Sequence, residues 1–439
     1  MIKRLIVICI TIIGSCAFAQ QGTSSPYSFY GIGSLKFKGT VENRSMGGLS
    51  VYLDSIHVNL RNPASYGGKN LKSTDFNNES RPVKFTIAGT TSDLTLKSDT
   101  GESKGSSSSY DYLAIAIPVG RFGFGFGLLP YTSVGYKLED FSDDGDLQSR
   151  YRGDGGINKV FTGFGYQVSD KLGVGVDVSY NFGNIRNTAI IVQYTPEGNV
   201  VQYQTRENNR ADLSGLNLNF GLSYKTMISD NLELSTTLTY APESRLKSLN
   251  QRSVSTVTIN TVNDNVAVFN TIESDLEAQG LNETELVIPS RLSVGGGIGK
   301  PKSWFVGTEL TFQNTSNFSN PLFSNQTTSF ENSSQFTVGG FFIPNYNAFS
   351  GYFKRVVYRA GFNFANTGLV IKNESIKEFG ISFGLGLPVG KRSLFSNANL
   401  GFEFGQRGTT NQNLIQENYV NFNVSLSLNS RWFTQRKYF

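Results

Sequence analysis

The sequence predicts an all-β chain: a transmembrane antiparallel β-barrel of about 14 strands with an N-terminal hatch in its lumen. Three observations lead there. An export leader opens the chain, segments of about ten residues alternate apolar with small or polar positions nearly to the C-terminus, and their connections run short, long, short, long.

Lys3 and Arg4, an apolar stretch from Leu5 to Ile13, and the small exit at Ala17, Phe18 and Ala19 read as a secretory signal over 1–19, with Gln20 the first mature residue. Ile13, Gly14, Ser15 and Cys16 form a competing lipoprotein-type cut. Cys9 and Cys16, the two cysteines, both fall in the leader, so cleavage after Ala19 removes disulfides, thiolate metal sites and thiol nucleophiles from consideration. No later apolar run is long enough to span a membrane as a helix.

Hydrophobic residues make up 38% of the chain, aromatics 13%, and there are 47 glycines. Lipid-facing rings explain the aromatics, and space inside a barrel explains the glycines. The net charge of +5 becomes +3 without Lys3 and Arg4. Its basic residues are scattered, which argues against a nucleic-acid partner.

Residues 20–80 carry turn signals at Ser25-Pro26, Gly31, Gly33, Gly47-Gly48, Asn62-Pro63 and Gly67-Gly68 with little alternation, as expected of a segment folded into the lumen. The barrel then occupies 81–430. Phe379, Ile381, Phe383, Leu385 and Leu387 alternate with Glu378, Gly380, Ser382, Gly384 and Gly386, and the pattern recurs at Phe122–Leu128, Leu172–Tyr180, Leu216–Tyr224 and Val420–Leu428. The expected strands are 82–96, 107–119, 121–133, 157–168, 171–186, 210–226, 231–246, 286–299, 303–314, 335–344, 353–367, 376–389, 395–406 and 418–429. Short turns then fall at one end, and the longer, Asn- and Ser-rich loops 97–106, 134–156, 187–209, 247–285, 315–334, 368–375 and 407–417 at the other. Within the longest, 272–285 has spacings that fit a short amphipathic helix. Residues 431–439 form a periplasmic tail whose Trp432, Phe433, Tyr438 and Phe439 fit an interfacial girdle.

Chemistry is sparse. His57 is the only histidine, so a histidine-based triad or multi-histidine metal site cannot form, and no Gly-x-Ser-x-Gly elbow is present. We expect no enzyme, cofactor or resident metal. Asp140, Asp143, Asp144, Asp146 and Asp154 could gather calcium in the 139–154 loop, although acidity is ordinary in an external loop. Alternation puts Asp177, Glu233, Glu309, Glu378 and Glu403 in the lumen, with Arg355 and Arg359 facing them and Val356, Tyr358, Phe362 and Phe364 facing lipid. A charge on the lipid face would cost about 2–4 kcal/mol near the midplane. These arginines and glutamates would either pair with one another and the hatch, or Arg355 or Arg359 would meet a ligand carboxylate.

Arg44-Ser45-Met46-Gly47-Gly48, Asp54-Ser55, Asn62-Pro63-Ala64 and Tyr66-Gly67 together resemble the hatch signature of the FadL family of outer-membrane transporters for long-chain fatty acids and other hydrophobic compounds. Weaker echoes are Ile288-Pro289 and Phe341-Phe342-Ile343-Pro344-Asn345. The resemblance implies fourteen strands and protruding external loops, here 187–209 and 247–285. It also implies an interrupted third strand through which ligand leaves sideways, with Phe126, Gly127 and Pro130 as candidates; Pro130 could equally just end that strand. Where such hatches carry an alanine-rich run, this chain has Ser50-Val51-Tyr52-Leu53 and Ile56-His57-Val58. The aromatic C-terminus resembles the signal read by barrel-assembly machinery during biogenesis. Two functions are therefore expected: capture and hatch-gated passage of a hydrophobic small molecule, or a non-transporting subunit binding envelope proteins within an export or assembly complex. In both, the partners include outer-membrane lipid.

Overall fold

The computed structural model describes residues 22–54, 56–67, 82–99, 101–142, 144–259, 265–318, 328–389 and 396–430. The expected leader (1–19), residues 68–80 of the expected hatch, Asp143 and the expected tail (431–439) lie outside the described residues.

The described residues form twenty strands. After β1 (Ser34–Leu35) come β2 (Val83–Lys97), β3 (Glu102–Val119), β4 (Phe122–Pro130), β5 (Thr132–Phe141), β6 (Leu147–Gln167) and β7 (Leu172–Ile191). Next are β8 (Gln204–Ser229), β9 (Leu232–Ala241), β10 (Ser244–Ile259), β11 (Val266–Glu273), β12 (Glu283–Ile288), β13 (Arg291–Lys300) and β14 (Trp304–Gln313). The last are β15 (Thr328–Phe330), β16 (Ser333–Phe342), β17 (Val357–Ile371), β18 (Glu374–Val389), β19 (Ser396–Arg407) and β20 (Gln416–Ser430).

Fourteen of them close an antiparallel barrel in chain order, from β2 through β3, β4, β6, β7, β8 and β9. The ring continues through β13, β14, β16, β17, β18, β19 and β20, which returns to β2. The other six extend it: β5 prolongs β4 beyond Tyr131, β10 and β12 continue β9 and β13 past Pro242 and Pro289, β11 folds back on β10, β15 pairs β17, and β1 pairs β5. All fourteen expected strands are found.

The wall is inverted relative to a soluble protein. Phe124, Phe126, Phe383, Phe402 and Phe422 are exposed on the outside, whereas Ser382, Asn399, Asn423 and Ser425 are buried inside, the distribution that a lipid solvent imposes. Among the described residues, no helix is long and apolar enough to cross a membrane.

Three expectations need correction. Residues 272–285 form no helix, because Val266–Glu273 pairs with Ser253–Ile259 and Glu283–Ile288 with Ser244–Leu249, leaving turns between. Much of 97–106, 134–156, 187–209 and 247–285 is ladder rather than loop; β8 alone has 26 residues, about 85 Å of strand against an apolar band of about 25 Å. Arg355 is not on a wall strand. Gly351 turns the chain at φ 80°, Tyr352–Arg355 is a 3-10 turn, and Val356 packs inward at 1% exposure instead of facing lipid.

Candidate functional site

Residues 22–67 fill the barrel. Their seats are luminal glycines: a Cβ on Gly123 would lie 1.8 Å from the Tyr66 carbonyl oxygen, and one on Gly361 would lie 2.1 Å from the Met46 carbonyl carbon. Thr40 caps a one-turn helix, Val41–Arg44, and the chain then turns through Gly47 (φ 71°) and Gly48 (φ 96°), conformations open to glycine and costly for other residues. Gly47 N–H donates to Ser382 Oγ at 2.8 Å. Asn62 is fully buried, caps the Pro63–Ser65 turn by accepting from Ala64 N–H at 3.0 Å, and donates from Nδ2 to the Leu222 carbonyl at 3.0 Å. Pro63 fixes its own φ and biases Asn62 to the extended form, so this short motif joins the segment to the wall.

Charge fastens it elsewhere. Glu309 on β14 accepts from Ser50 N–H (2.9 Å) and Ser50 Oγ (2.7 Å), and its other oxygen lies 2.6 Å from Arg61 Nη2, an ion pair rather than a well-aligned hydrogen bond. Arg44 donates to Thr90 Oγ1 and Asn423 Oδ1 and stands 3.6 Å from Glu403. Glu42 accepts from Asn399 Nδ2 (2.8 Å) and Ser427 Oγ (2.9 Å). Ser25 Oγ donates to Glu417.

The segment separates two cavities that share no lining residue. One, of about 460 Å³ at the long-loop end, is lined by Lys36, Lys38, Arg61, Arg291, Glu378 and Glu403, among others. Glu378 meets Arg407 Nη2 at 2.7 Å and Tyr419 OH at 3.0 Å. Burial pushes the Lys36 ammonium down to about 8, against the pull of Asp111, and burial with Lys159 and Arg291 nearby pushes Lys38 well below the usual lysine range. The other, of about 690 Å³ at the short-turn end, holds Arg355 and Arg359 among polar side chains such as Glu42, Asp54 and Asn397 and apolar ones such as Tyr52, Ile56 and Phe341. The four candidate charges thus divide, glutamates to one chamber and arginines to the other. Arg44, Arg61 and Glu42 were not singled out from sequence as fastenings; their position beside the Gly47-Gly48 and Asn62-Pro63 turns was the available signal.

Asp54 and His57 close a turn over the second chamber. Asp54 Oδ1 accepts from Ile56 N–H (3.0 Å) and His57 N–H (2.7 Å), and Oδ2 lies 2.6 Å from His57 Nδ1. Burial alone would raise this carboxyl; His57 and Lys84 outweigh it and hold it well below the usual carboxylate range. The ionised carboxylate therefore stabilises the turn fully above about pH 4, the ordinary aspartate value, and this is lost as pH falls toward the lowered folded value. Amide protection at 56–58, corrected for intrinsic exchange, should be full at about pH 5 and drop below about 4; Asp54→Asn should lose most of it at about pH 5.

The third stave breaks after Pro130. β3 pairs β4 only over Leu113–Val119, and among the described residues no register joins its half Glu102–Tyr112 to β5. The N-terminal segment stands in this gap. Ser24 Oγ donates to the Ser106 carbonyl (3.0 Å), Gly135 N–H to Ser28 Oγ (3.1 Å) and Lys36 N–H to the Tyr131 carbonyl (3.0 Å), while Leu35 is 54% exposed. Phe126 points outward, Gly127 packs beneath the Phe161 ring, and Pro130 ends β4 at the break. Among the described residues no group of three or more His, Cys, Asp or Glu is placed to hold a metal.

The fold is that of FadL-type barrels. The toluene transporter TbuX of Ralstonia pickettii superposes with a TM-score of 0.57 at 14% identity, over 90% of this chain and 99% of that one. The toluene transporter TodX of Pseudomonas putida gives 0.55 at 15%, over 92% and 100%, and a FadL homologue of Pseudomonas aeruginosa 0.55 at 11%, over 91% and 99%. No curated protein matches the sequence. The family model that does match, over residues 1–439, is BamG, and the chain belongs to the BamG family.

Proposed function

We propose that this chain is an outer-membrane barrel of FadL-like architecture that serves as a subunit of the barrel-assembly machinery, to which the name of its family points. The observation that carries this reading is the match of that family over the whole chain. The lumen agrees with it: the Arg61–Glu309 pair and the Arg44, Glu42 and Asn62 contacts tie the N-terminal segment to opposite sides of the wall, a stoppered scaffold rather than an open pore. β8 and β10, paired well beyond the apolar band, offer a raised surface for another protein.

A second reading, a channel for hydrophobic compounds, is supported by the unpaired stretch of wall between β3 and β5, which the segment plugs with few contacts. Such a solute would enter the long-loop chamber and leave sideways through the gap without crossing the lumen. Native mass spectrometry of the protein extracted from its own membrane in mild detergent separates the readings. A defined complex with barrel-assembly components supports the first; a lone barrel carrying an apolar small-molecule mass overturns it in favour of the second.

A further inference from the structure

We propose that β11 is a docking edge: its open side takes an extended segment of a second envelope protein as one more strand, a segment apolar at alternate positions and carrying lysine or arginine at one end. The proposal rests on the subunit reading and names a contact through which it would act.

β11 is paired on one side only, to Ser253–Ile259 of β10, and among the described residues no register occupies its other side. It stands at the top of the β8–β10 wall, beyond the apolar band, where water rather than lipid is the solvent. Yet it reads Val-Ala-Val-Phe-Asn-Thr-Ile-Glu, and Phe269 and Ile272 are 60% and 65% exposed. Large apolar side chains on an open, β-prone edge are what soluble edges avoid, usually with charge or proline. Elsewhere the molecule follows that rule. The stretch of β3 at the wall gap, Glu102–Ser109, reads Glu-Ser-Lys-Gly-Ser-Ser-Ser-Ser, and the open edge of β5 carries Lys137, Glu139 and Asp140. The blunting device in β11 is a bulge, where the register steps from Thr256–Asn270 to Val257–Val268 and the Phe269 ring stands edge-on to Tyr203 at 5.2 Å.

Geometry and charge choose the occupant. A second copy of this chain is unsuited: barrel strands tilt by about 35–45°, so two barrels inserted the same way up, related by a twofold axis along the membrane normal, would present edges crossing at about 70–90° instead of lying side by side. A flexible segment has no such constraint. Adding a strand to an exposed edge is a recurrent mode of peptide recognition, in which backbone bonds supply affinity and alternate side chains supply selectivity. β11 then runs into a turn bearing Glu273, Asp275 and Glu277, all exposed, and among the described residues none of the three has an ion-pair partner. Glu283 and Glu285 just beyond are matched, by Lys247 at 2.7 Å and Arg245 at 2.9 Å. The turn is held in shape: Leu276 is buried, Leu281 N–H donates to its carbonyl at 2.8 Å, and Ala278 N–H donates to Asp275 Oδ1 at 2.9 Å. An apolar edge that ends on three such carboxylates selects an apolar strand with a cationic end.

The test is photocrosslinking in cells that make the full-length chain, with the substitution Asn270→p-benzoylphenylalanine, read beside native mass spectrometry of the extracted protein. The expected result is a crosslink to one co-purifying envelope protein, mapped by peptide mass spectrometry to an extended segment that is apolar at alternate positions with lysine or arginine beside it. Val268→Lys with Ile272→Lys, and separately Glu273→Lys with Glu277→Lys, should each lower the yield by about tenfold or more. The same photoprobe at Lys104, on the β3 edge, should give no such crosslink. All these side chains are exposed and outside the closed ring, so a wild-type heat-modifiable gel shift should verify that each variant is folded. A crosslink to a second copy, to lipid or to a helical segment, or a yield unchanged in either lysine pair, would overturn the proposal. An intact complex without a crosslink at position 270 overturns it and leaves the subunit reading standing, whereas a lone barrel in native mass spectrometry overturns both.

Discussion

Glu309→Ala should release the N-terminal segment from the wall while leaving the barrel closed. Glu309 is 3% exposed and holds three partners on the segment, two at Ser50 and one at Arg61. Removing one member of a buried pair leaves the other charge stranded, a loss of about 3–5 kcal/mol, whereas the β13–β14–β16 ladder needs no Glu309 side chain. Exchange protection over residues 48–62 should fall by two or more orders of magnitude, on the scale of that energy, and single-channel conductance in planar bilayers should rise. Arg61→Ala should do the same, and the double variant should be milder than the sum of the two, because neither charge is then left alone. Full protection in Glu309→Ala would mean that the pair is incidental.

Gly361→Val should unseat the segment by shape rather than charge. A Cβ there would come within 2.1 Å of the Met46 carbonyl carbon and 2.2 Å of Gly47 N. Both are backbone atoms and cannot swing aside as a side-chain end would, so residues 45–48 must move or the strand must shift. We expect a protease cut near Ser45–Leu49 that is absent from the native barrel. Gly296→Ala, whose new methyl would meet only Thr236 Cγ2 at 3.8 Å, is the control and should remain uncut. Resistance in Gly361→Val would show that the wall, not the segment, gives way.

What the sequence disclosed follows from which solvent each residue meets. Where strands cross lipid, every second side chain must be apolar, so stretches such as Phe379–Leu387 were plain from their alternation. Above the lipid that demand lapses. Gln204–Asn209 reads Gln-Thr-Arg-Glu-Asn-Asn, continues the β7–β8 ladder through backbone pairing, and carries no apolar face to betray it. Arg355 was misplaced for the opposite reason: alternation was extended backward from the strand into the turn Tyr352–Arg355, where the strand has not begun. At the site, the Gly47-Gly48 and Asn62-Pro63-Ala64 turns were visible because their chemistry is local. Their partners were not. Alternation could say that Glu309 faces inward, but nothing in one sequence says that its cation is Arg61.

The contacts of the N-terminal segment also impose an order on biogenesis. Its bonds reach Leu222, Glu309, Ser382 and Asn423, and these positions are neighbours around one ring only after β20 has paired with β2. The N-terminal segment therefore cannot find its seats until nearly the last strand has been placed, and closure of so non-local a fold is intrinsically slow. Through that interval Glu42, Arg44 and Arg61 must stay hydrated and unattached. A half-built wall thus differs from a finished one in a way a protease can read, since residues 22–67 are sheltered only in the finished ring.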